Sequence, residues 1–377
     1  MAYRGGAGFK SDSDAQAPSA RGRTSDYAIS QPKGGGSGYS ANGGDKKVAS
    51  PASAPRGDGA RGAAAADAKD GEDDLVARVA SKLRLEGSWT NLDFSEIEMG
   101  ERIGGGGVGV VYEGWFRGEQ VALKTLFDPR VDEKLKEEYM DELLVMSQLD
   151  HPNIVAFKGA CMAPPDLCFV MERCETSLFT LLHYSGRAEL STYERARMAA
   201  DVAAAMAYLH ARRPAIIHRD LKSPNVLVAE DGALKVCDFG LVRTKTTQAG
   251  TPSYMAPELL DGKPFSRAVD VYAFGILLHE IFSGEVPFDG CDFYDVRTRV
   301  GRGDRPRVPT LDVPDAIQTM MVDCWHARPE RRPEMADVHE TLQELLEKLP
   351  RQSNLAALES GDSFGGGDAL DDLLGFK

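Results

Sequence analysis

His218-Arg219-Asp220-Leu221-Lys222-Ser223-Pro224-Asn225, preceded by the apolar pair Ile216-Ile217, is the stretch on which the reading of this sequence turns. It sets a carboxylate at 220, an ammonium two residues on and a carboxamide five residues on. The Asp220 carboxylate can accept the proton of a hydroxyl and orient it for in-line attack. Lys222 can lie against a transferring phosphate, and the amide oxygen of Asn225 suits a hard divalent ion. Such a loop works by placing groups and neutralising charge, which is what phosphoryl chemistry asks of a protein.

Working outward, Lys235-Val236-Cys237-Asp238-Phe239-Gly240 follows a β-type run and supplies a second acid. Asp238 is the expected magnesium ligand, bridging to phosphate oxygens. Ala256-Pro257-Glu258 closes the segment, and Glu258 is expected to pair with Arg332 of Arg331-Arg332-Pro333 as a structural salt bridge. Upstream stands Gly104-Gly105-Gly106-Gly107-Val108-Gly109-Val110-Val111. Glycine spacing of this kind also occurs in dinucleotide-binding folds, where the glycines open a helix. Here β-branched residues follow, then Val121-Ala122-Leu123-Lys124, which fits a hairpin over nucleotide phosphates. Glycines let backbone N–H groups approach those phosphates without a Cβ in the way. Lys124 is the expected phosphate partner, held by an inward glutamate of a helical stretch from Glu133 to Leu149: Glu142, with Glu137 and Glu138 as competitors.

The order and spacing of these motifs resemble the eukaryotic protein kinase family across residues 97 to about 349. Phe94-Ser95-Glu96-Ile97, Gly114-Trp115-Phe116-Arg117-Gly118, Lys222-Ser223-Pro224-Asn225 and Asp270-Val271-Tyr272-Ala273-Phe274-Gly275 are similar to forms of its tyrosine-kinase-like group, which holds Raf, mixed-lineage and many plant kinases. The resemblance implies an α+β bilobal fold, with a small antiparallel sheet and one helix above a larger helical lobe. It implies ATP and Mg2+ as cofactors and protein substrates as partners. Asp220, Lys222 and Asn225 would be catalytic, and Asn225 and Asp238 would hold the metal. ATP would meet Ile103, Gly104, Gly106, Gly109, Val111, Ala122, Lys124, Glu142, Met171, Glu172, Cys174 and Leu227. Within that set, Met171 is the implied gatekeeper, Glu172 to Cys174 the adenine-binding hinge, and Val111, Ala122 and Leu227 the residues that sandwich the base. Met146, Phe157, His218 and Phe239 would stack as a spine.

Lys222, and Gly250-Thr251-Pro252-Ser253-Tyr254 with Thr251 bonded to Asp220 and Lys222, resemble serine/threonine-directed kinases. A dual-specificity or tyrosine kinase is the alternative, as is a pseudokinase scaffold, against which the presence of Lys124, Glu142, Asp220, Asn225 and Asp238 counts. Arg219 and Arg243 would form a basic pocket for a phosphate on Thr247, with Thr244 and Thr246 as nearby alternatives. The phosphate would be placed by an upstream kinase or by a second copy in trans. Two departures from the family pattern stand out. Val108 replaces an aromatic at the glycine-loop tip, where four consecutive glycines make the loop pliable. The hinge is about a residue short and places Cys174 where a nucleophile could meet an inhibitor.

The remaining sequence bounds the rest. Residues 1–72 are rich in Gly, Ala, Ser, Asp and Pro and read as a disordered tail. Leu75, Val76, Val79 and Leu83 recur at helical spacing, so 73–96 reads as a short helix and linker. The kinase-like domain spans 97–349: a β-rich lobe at 97–171, a hinge at 172–177 and a helical lobe at 178–349. Helices are expected at Thr192 to His210, Ala268 to Phe282, Asp315 to Cys324 and Met335 to Leu349. Residues 350–377 read as a disordered acidic tail, with Asp371-Asp372-Leu373-Leu374 a weaker docking-peptide candidate. The net charge of −14 argues against nucleic acid or an anionic membrane as main partner. No run is apolar enough to span a bilayer. Six cysteines without a CxxC pair read as reduced thiols, and a cytoplasmic location is expected. Oligomeric state is left open.

Overall fold

The computed structural model describes residues 92–106, 109–126, 141–163, 166–184, 190–242 and 250–351. All fall within one compact unit, Ala60–Lys377. Both tails, the 75–83 helix, Val108, Glu137, Glu138, Arg243, Thr244, Thr246 and Thr247 lie outside the described residues.

Strands β1 (Ile97–Gly106), β2 (Gly109–Phe116), β3 (Glu119–Leu126), β4 (Phe157–Ala163) and β5 (Asp166–Glu172) form one antiparallel sheet in the order β1-β2-β3-β5-β4. Arg117 and Gly118, with φ of 52° and 83°, make the two-residue turn between β2 and β3 that matches strand twist. Period-two alternation then sorts β3 between two faces. Val121 and Leu123 are buried on the outer face with Ile97, Phe116, Cys161, Cys168 and Val170, whereas Ala122 and Lys124 point the other way.

Leu92 also joins that outer cluster, and its N–H donates to Ala160 O at 3.0 Å. The packed domain therefore begins ahead of Ile97, where the change of sequence pattern put it; one apolar residue has no period to betray it. Gly104, Gly105 and Gly106 pair with Val111, Val110 and Gly109, so the ladder runs up to the tip.

Helix α1, described over 141–146, buries Leu143 to Met146 against the sheet. It stops three residues short of the expected Leu149, because Gln148 and Leu149 donate to Val145 and Met146 in a tightened i→i−3 pattern. The connector after it belongs to the lower lobe. Val155 N–H donates to Val236 O, Val236 N–H to Asn153 O, and Asn153 Nδ2 to Leu234 O.

The lower lobe holds a small sheet, β6 (Thr176–Ser177), β7 (Val226–Val228) and β8 (Leu234–Val236), beside helices α2 (Leu178–His183), α3 (Thr192–Ala211), α4 (Pro257–Leu260), α5 (Ala268–Ser283), α6 (Phe293–Arg302), α7 (Asp315–Cys324) and α8 (Met335–Lys348). The four long helices lie within a residue of their expected bounds. A capping box at Ser191 and Glu194 starts α3. Helix α5 is buried from Val269 through Phe282, as a helix apolar all round must be. A Cβ on Gly275 would come within 2.8 Å of Cys324 Cβ, so glycine there lets α5 and α7 approach. Its few polar residues, Asp270, His279 and Glu280, are fully enclosed. Two of them organise the site.

Candidate active site

Asp270 fixes the loop that carries Asp220. Its Oδ2 accepts from His218 N–H at 2.9 Å and faces His210 Nε2 at 2.9 Å, while Oδ1 accepts from Arg219 N–H at 2.8 Å. A buried carboxylate needs such donors, and the backbone it grips holds Arg219 at a φ of 69°, unusual for a residue with a Cβ. His210 and Asp270 were not singled out as site residues by sequence. Their signal was present: an acid inside an apolar helix must be paired.

Around Asp220 the side chains close a small triangle. Oδ1 accepts from the N–H and the hydroxyl of Thr251, both at 2.9 Å. Oδ2 accepts from Asn225 Nδ2 at 3.0 Å and lies 3.0 Å from Lys222 Nζ. Lys222 in turn donates to Thr251 Oγ1 at 2.8 Å. Gly250 turns the chain into this contact with a φ of 128°; a Cβ there would meet Arg219 O at 3.0 Å. Asn225 commits its amide nitrogen to Asp220, which leaves its oxygen to face away as a hard ligand.

Lys124 meets Glu142 of α1 with both carboxylate oxygens, at 2.6 and 2.7 Å. Burial opposes charge on Lys124, but Glu142 and Asp238 outweigh it and hold the ammonium well above its usual value. Burial likewise pushes the Glu142 carboxyl up while Lys124 draws it down. The two-oxygen contact is that of an ion pair, and we treat it as one. Asp238 stands in a left-handed conformation at φ 64° and is open to the cleft. Desolvation works against its charge, yet Lys124, His218 and Lys222 together keep its carboxyl below the usual range. It is an anion ready for a cation.

The adenine-side residues follow from the sheet register. Met171 lies opposite Ala122, and Val111 opposite Lys124, which sets all four on the inner face. Leu227 comes up from β7, opposite Ser177. Ile103 and Gly104 stand at the β1 end, Ile103 exposed. Glu172 is tied down by Lys235 Nζ at 2.9 Å and by Ala156 N–H at 3.1 Å. Burial, then Glu172, pushes the Cys174 thiol up to about 12, which lowers its share of reactive thiolate.

His218 and Phe239 rings stand 5.2 Å apart, while Phe157 turns an edge to Phe169 at 6.4 Å and Met146 is buried nearby. The Arg219 guanidinium stacks over Phe265 at 4.7 Å and donates to Leu241 O at 3.1 Å. Below the site, Arg332 meets Glu258 through two bonds of 2.6 and 2.9 Å, both side chains buried.

These residues fit MgATP. Asp238 and the Asn225 oxygen are hard donors too few to cage an ion alone, as expected where phosphates and water complete the shell. Among the described residues no cluster of three or more His, Cys, Asp or Glu could hold a metal by itself. At Gly104 a Cβ would meet, among the described residues, only Val111 Cβ at 3.8 Å, an ordinary contact.

Comparison with known proteins gives the same direction. Residues 97–342 match the family model described as protein tyrosine and serine/threonine kinase. The chain is 37% identical over 291 residues to the serine/threonine-protein kinase CTR1 of Arabidopsis thaliana, covering 74% of this chain and 35% of that protein. It is 39% identical over 264 residues to the probable serine/threonine-protein kinase SIS8 of the same plant, covering 67% and 25%. It is 38% identical over 262 residues to the probable serine/threonine-protein kinase drkA of Dictyostelium discoideum, covering 68% and 40%. The chain thus spans less than half the length of each of these relatives.

Proposed function

Because the chain belongs to the protein tyrosine and serine/threonine kinase family, we propose that it transfers the γ-phosphate of MgATP to serine and threonine hydroxyls of protein substrates. The observation that carries this reading is the triangle of Asp220, Lys222 and Thr251, all within 3.0 Å of one another. In this mechanism the phosphates lie under the Gly104–Gly109 hairpin, with Lys124 held against them by Glu142. Asp238 and the Asn225 oxygen would hold magnesium, which neutralises the charge gathering on the phosphates. Asp220 accepts the proton of the incoming hydroxyl and aims its oxygen along the line of displacement. Lys222 faces the transferring group and, with Thr251, keeps Asp220 from swinging away.

The test is label transfer from γ-labelled ATP to a degenerate peptide array, with magnesium present or chelated. Label on serine and threonine peptides only with magnesium is expected. Transfer indifferent to chelation, or label confined to tyrosine, would overturn the reading.

We propose intracellular signalling in the cytoplasm as the setting, on the six cysteines without a CxxC pair. We further propose that phosphorylation of Thr247, by an upstream kinase or a second copy in trans, raises activity by drawing Arg219 and Arg243 onto one phosphate. Arg219 would have to leave Phe265 and Leu241 to do so. Thr247→Ala should then lower kcat and abolish activation by the modifying kinase. A Thr247→Ala chain as active as the unsubstituted one, with no phosphate found at 247 in the latter, removes this step.

A further inference from the structure

Glu280, ten residues along α5 from Asp270, has no role in the mechanism above, yet it is fully buried. Among the described residues three side chains donate to it. Ser223 Oγ donates to Oε1 at 2.6 Å, His183 Nε2 to Oε1 at 2.9 Å and Tyr254 OH to Oε2 at 2.6 Å. Ser223 and Tyr254 also lie within 3.3 Å of each other. Each donor belongs to a different part of the machinery. Ser223 sits between Lys222 and Asn225, and Tyr254 sits three residues beyond Thr251. His183 ends α2, the helix that leaves the hinge directly after Ser177, itself paired with Leu227.

Burial, then Glu280, pushes the Tyr254 hydroxyl well above its ordinary value, so it stays a donor. Ser223 has no charge to lose. His183 is therefore the donor that arrives from outside the catalytic and substrate-side loops. Its ring is steadied by Phe179, with centroids 4.7 Å apart. Among the described residues only these three side chains donate to the enclosed carboxylate. Taking one away leaves a buried charge under-satisfied and draws on the other two. Those two are attached to Lys222, Asn225 and Thr251.

We infer that His183 is a positioning residue for phosphoryl transfer, acting through Glu280 to hold the Asp220 loop and the Thr251–Tyr254 segment in register. The inference rests on the kinase reading and deepens it. It also supplies a short path from the hinge to the proton acceptor, running through α2, His183 and Glu280 to Ser223.

The test compares His183→Phe, which keeps a ring on Phe179 but has no N–H, with His183→Gln, which keeps a donor but has no ring. Both are made in the full chain and again with Glu280→Gln. The readouts are kcat, KM for ATP and for peptide, and Tm. His183→Phe should lower kcat about ten-fold with the KM for ATP unchanged, since small misplacements at a reacting centre are costly. His183→Gln should recover most of kcat. In the Glu280→Gln background, His183→Phe should add less than about two-fold, because the coupling runs through Glu280. The inference fails if Phe recovers activity and Gln does not, which would mark a stacking role. It fails equally if the two substitutions multiply, or if kcat falls only in step with Tm. An unsubstituted chain that transfers no phosphate would sink the kinase reading itself; an active chain indifferent to His183→Phe sinks this inference alone.

Discussion

Asp220→Asn is expected to abolish phosphoryl transfer, by at least about 10²-fold and up to about 10⁴-fold, in a chain whose Tm stays within a few degrees of the original. The amide has the carboxylate's shape, and its oxygen can still accept from Thr251, whose N–H and hydroxyl both reach Oδ1. Its NH2 takes the place of Oδ2, which accepts from Asn225 Nδ2 and faces Lys222 Nζ, and it cannot take a proton. Lys124→Met should remove turnover as completely, by a different route. The phosphates lose their cation, and Glu142, only 2% exposed, loses its counter-ion. Its carboxyl, already pushed up by burial, then becomes neutral. Lys124→Met should accordingly lower Tm where Asp220→Asn does not. Steady-state kinetics with thermal melts check both, and near-normal turnover in either variant would refute the assignment.

The largest expected effect on stability lies away from the chemistry. Arg332→Leu should cost about 3–5 kcal/mol, because it strands the buried Glu258 carboxylate. For a folded part of this size that corresponds to a fall in Tm of roughly 10 °C. Arg332 does more than pair. It donates through Nε to His326 O and through Nη1 to Ala268 O, and it stacks on Tyr272, whose ring also lies 5.1 Å from the Arg305 guanidinium. Replacing both partners, Glu258→Leu with Arg332→Leu, should recover more than half the loss, since no charge is then left unpaired. At low temperature, where both variants remain folded, kcat should stay within a few-fold of the original. A Tm unchanged by Arg332→Leu would contradict the account.

Most of the fold was legible from residues alone. Residues 192–210, 268–282 and 315–324 announce themselves by length and apolar content, and the structure ends those helices within a residue. The short helices α2 and α4 were missed, since one or two turns carry too little period to see; α6, as long as α7, was missed because its residues are mostly polar, with only Val296 and Val300 buried. Strand β4 was missed as well, its apolar residues interrupted by Lys158 and Gly159. Contacts within the motifs were readable because chemistry fixes their types: Lys124 with Glu142, Glu258 with Arg332, Thr251 with Asp220. Asp270, His210, His183 and Glu280 were not, because no motif names their partners, which lie 26 to 97 residues away along the chain and are brought together only by folding. Arg219 was readable as a cation but not as one stacked on Phe265. That contact depends on where the chain after Ala256 returns.

In the proposed mechanism the triangle of Asp220, Lys222 and Thr251 directs phosphate onto aliphatic hydroxyls. The most direct measurement is kcat/KM of the full chain, with MgATP, for peptides that differ only in carrying serine, threonine or tyrosine at the acceptor position. Serine and threonine should be favoured over tyrosine by at least about 10²-fold, the scale of a misplaced acceptor. Equal or greater turnover of the tyrosine peptide, or no turnover of any, would contradict it.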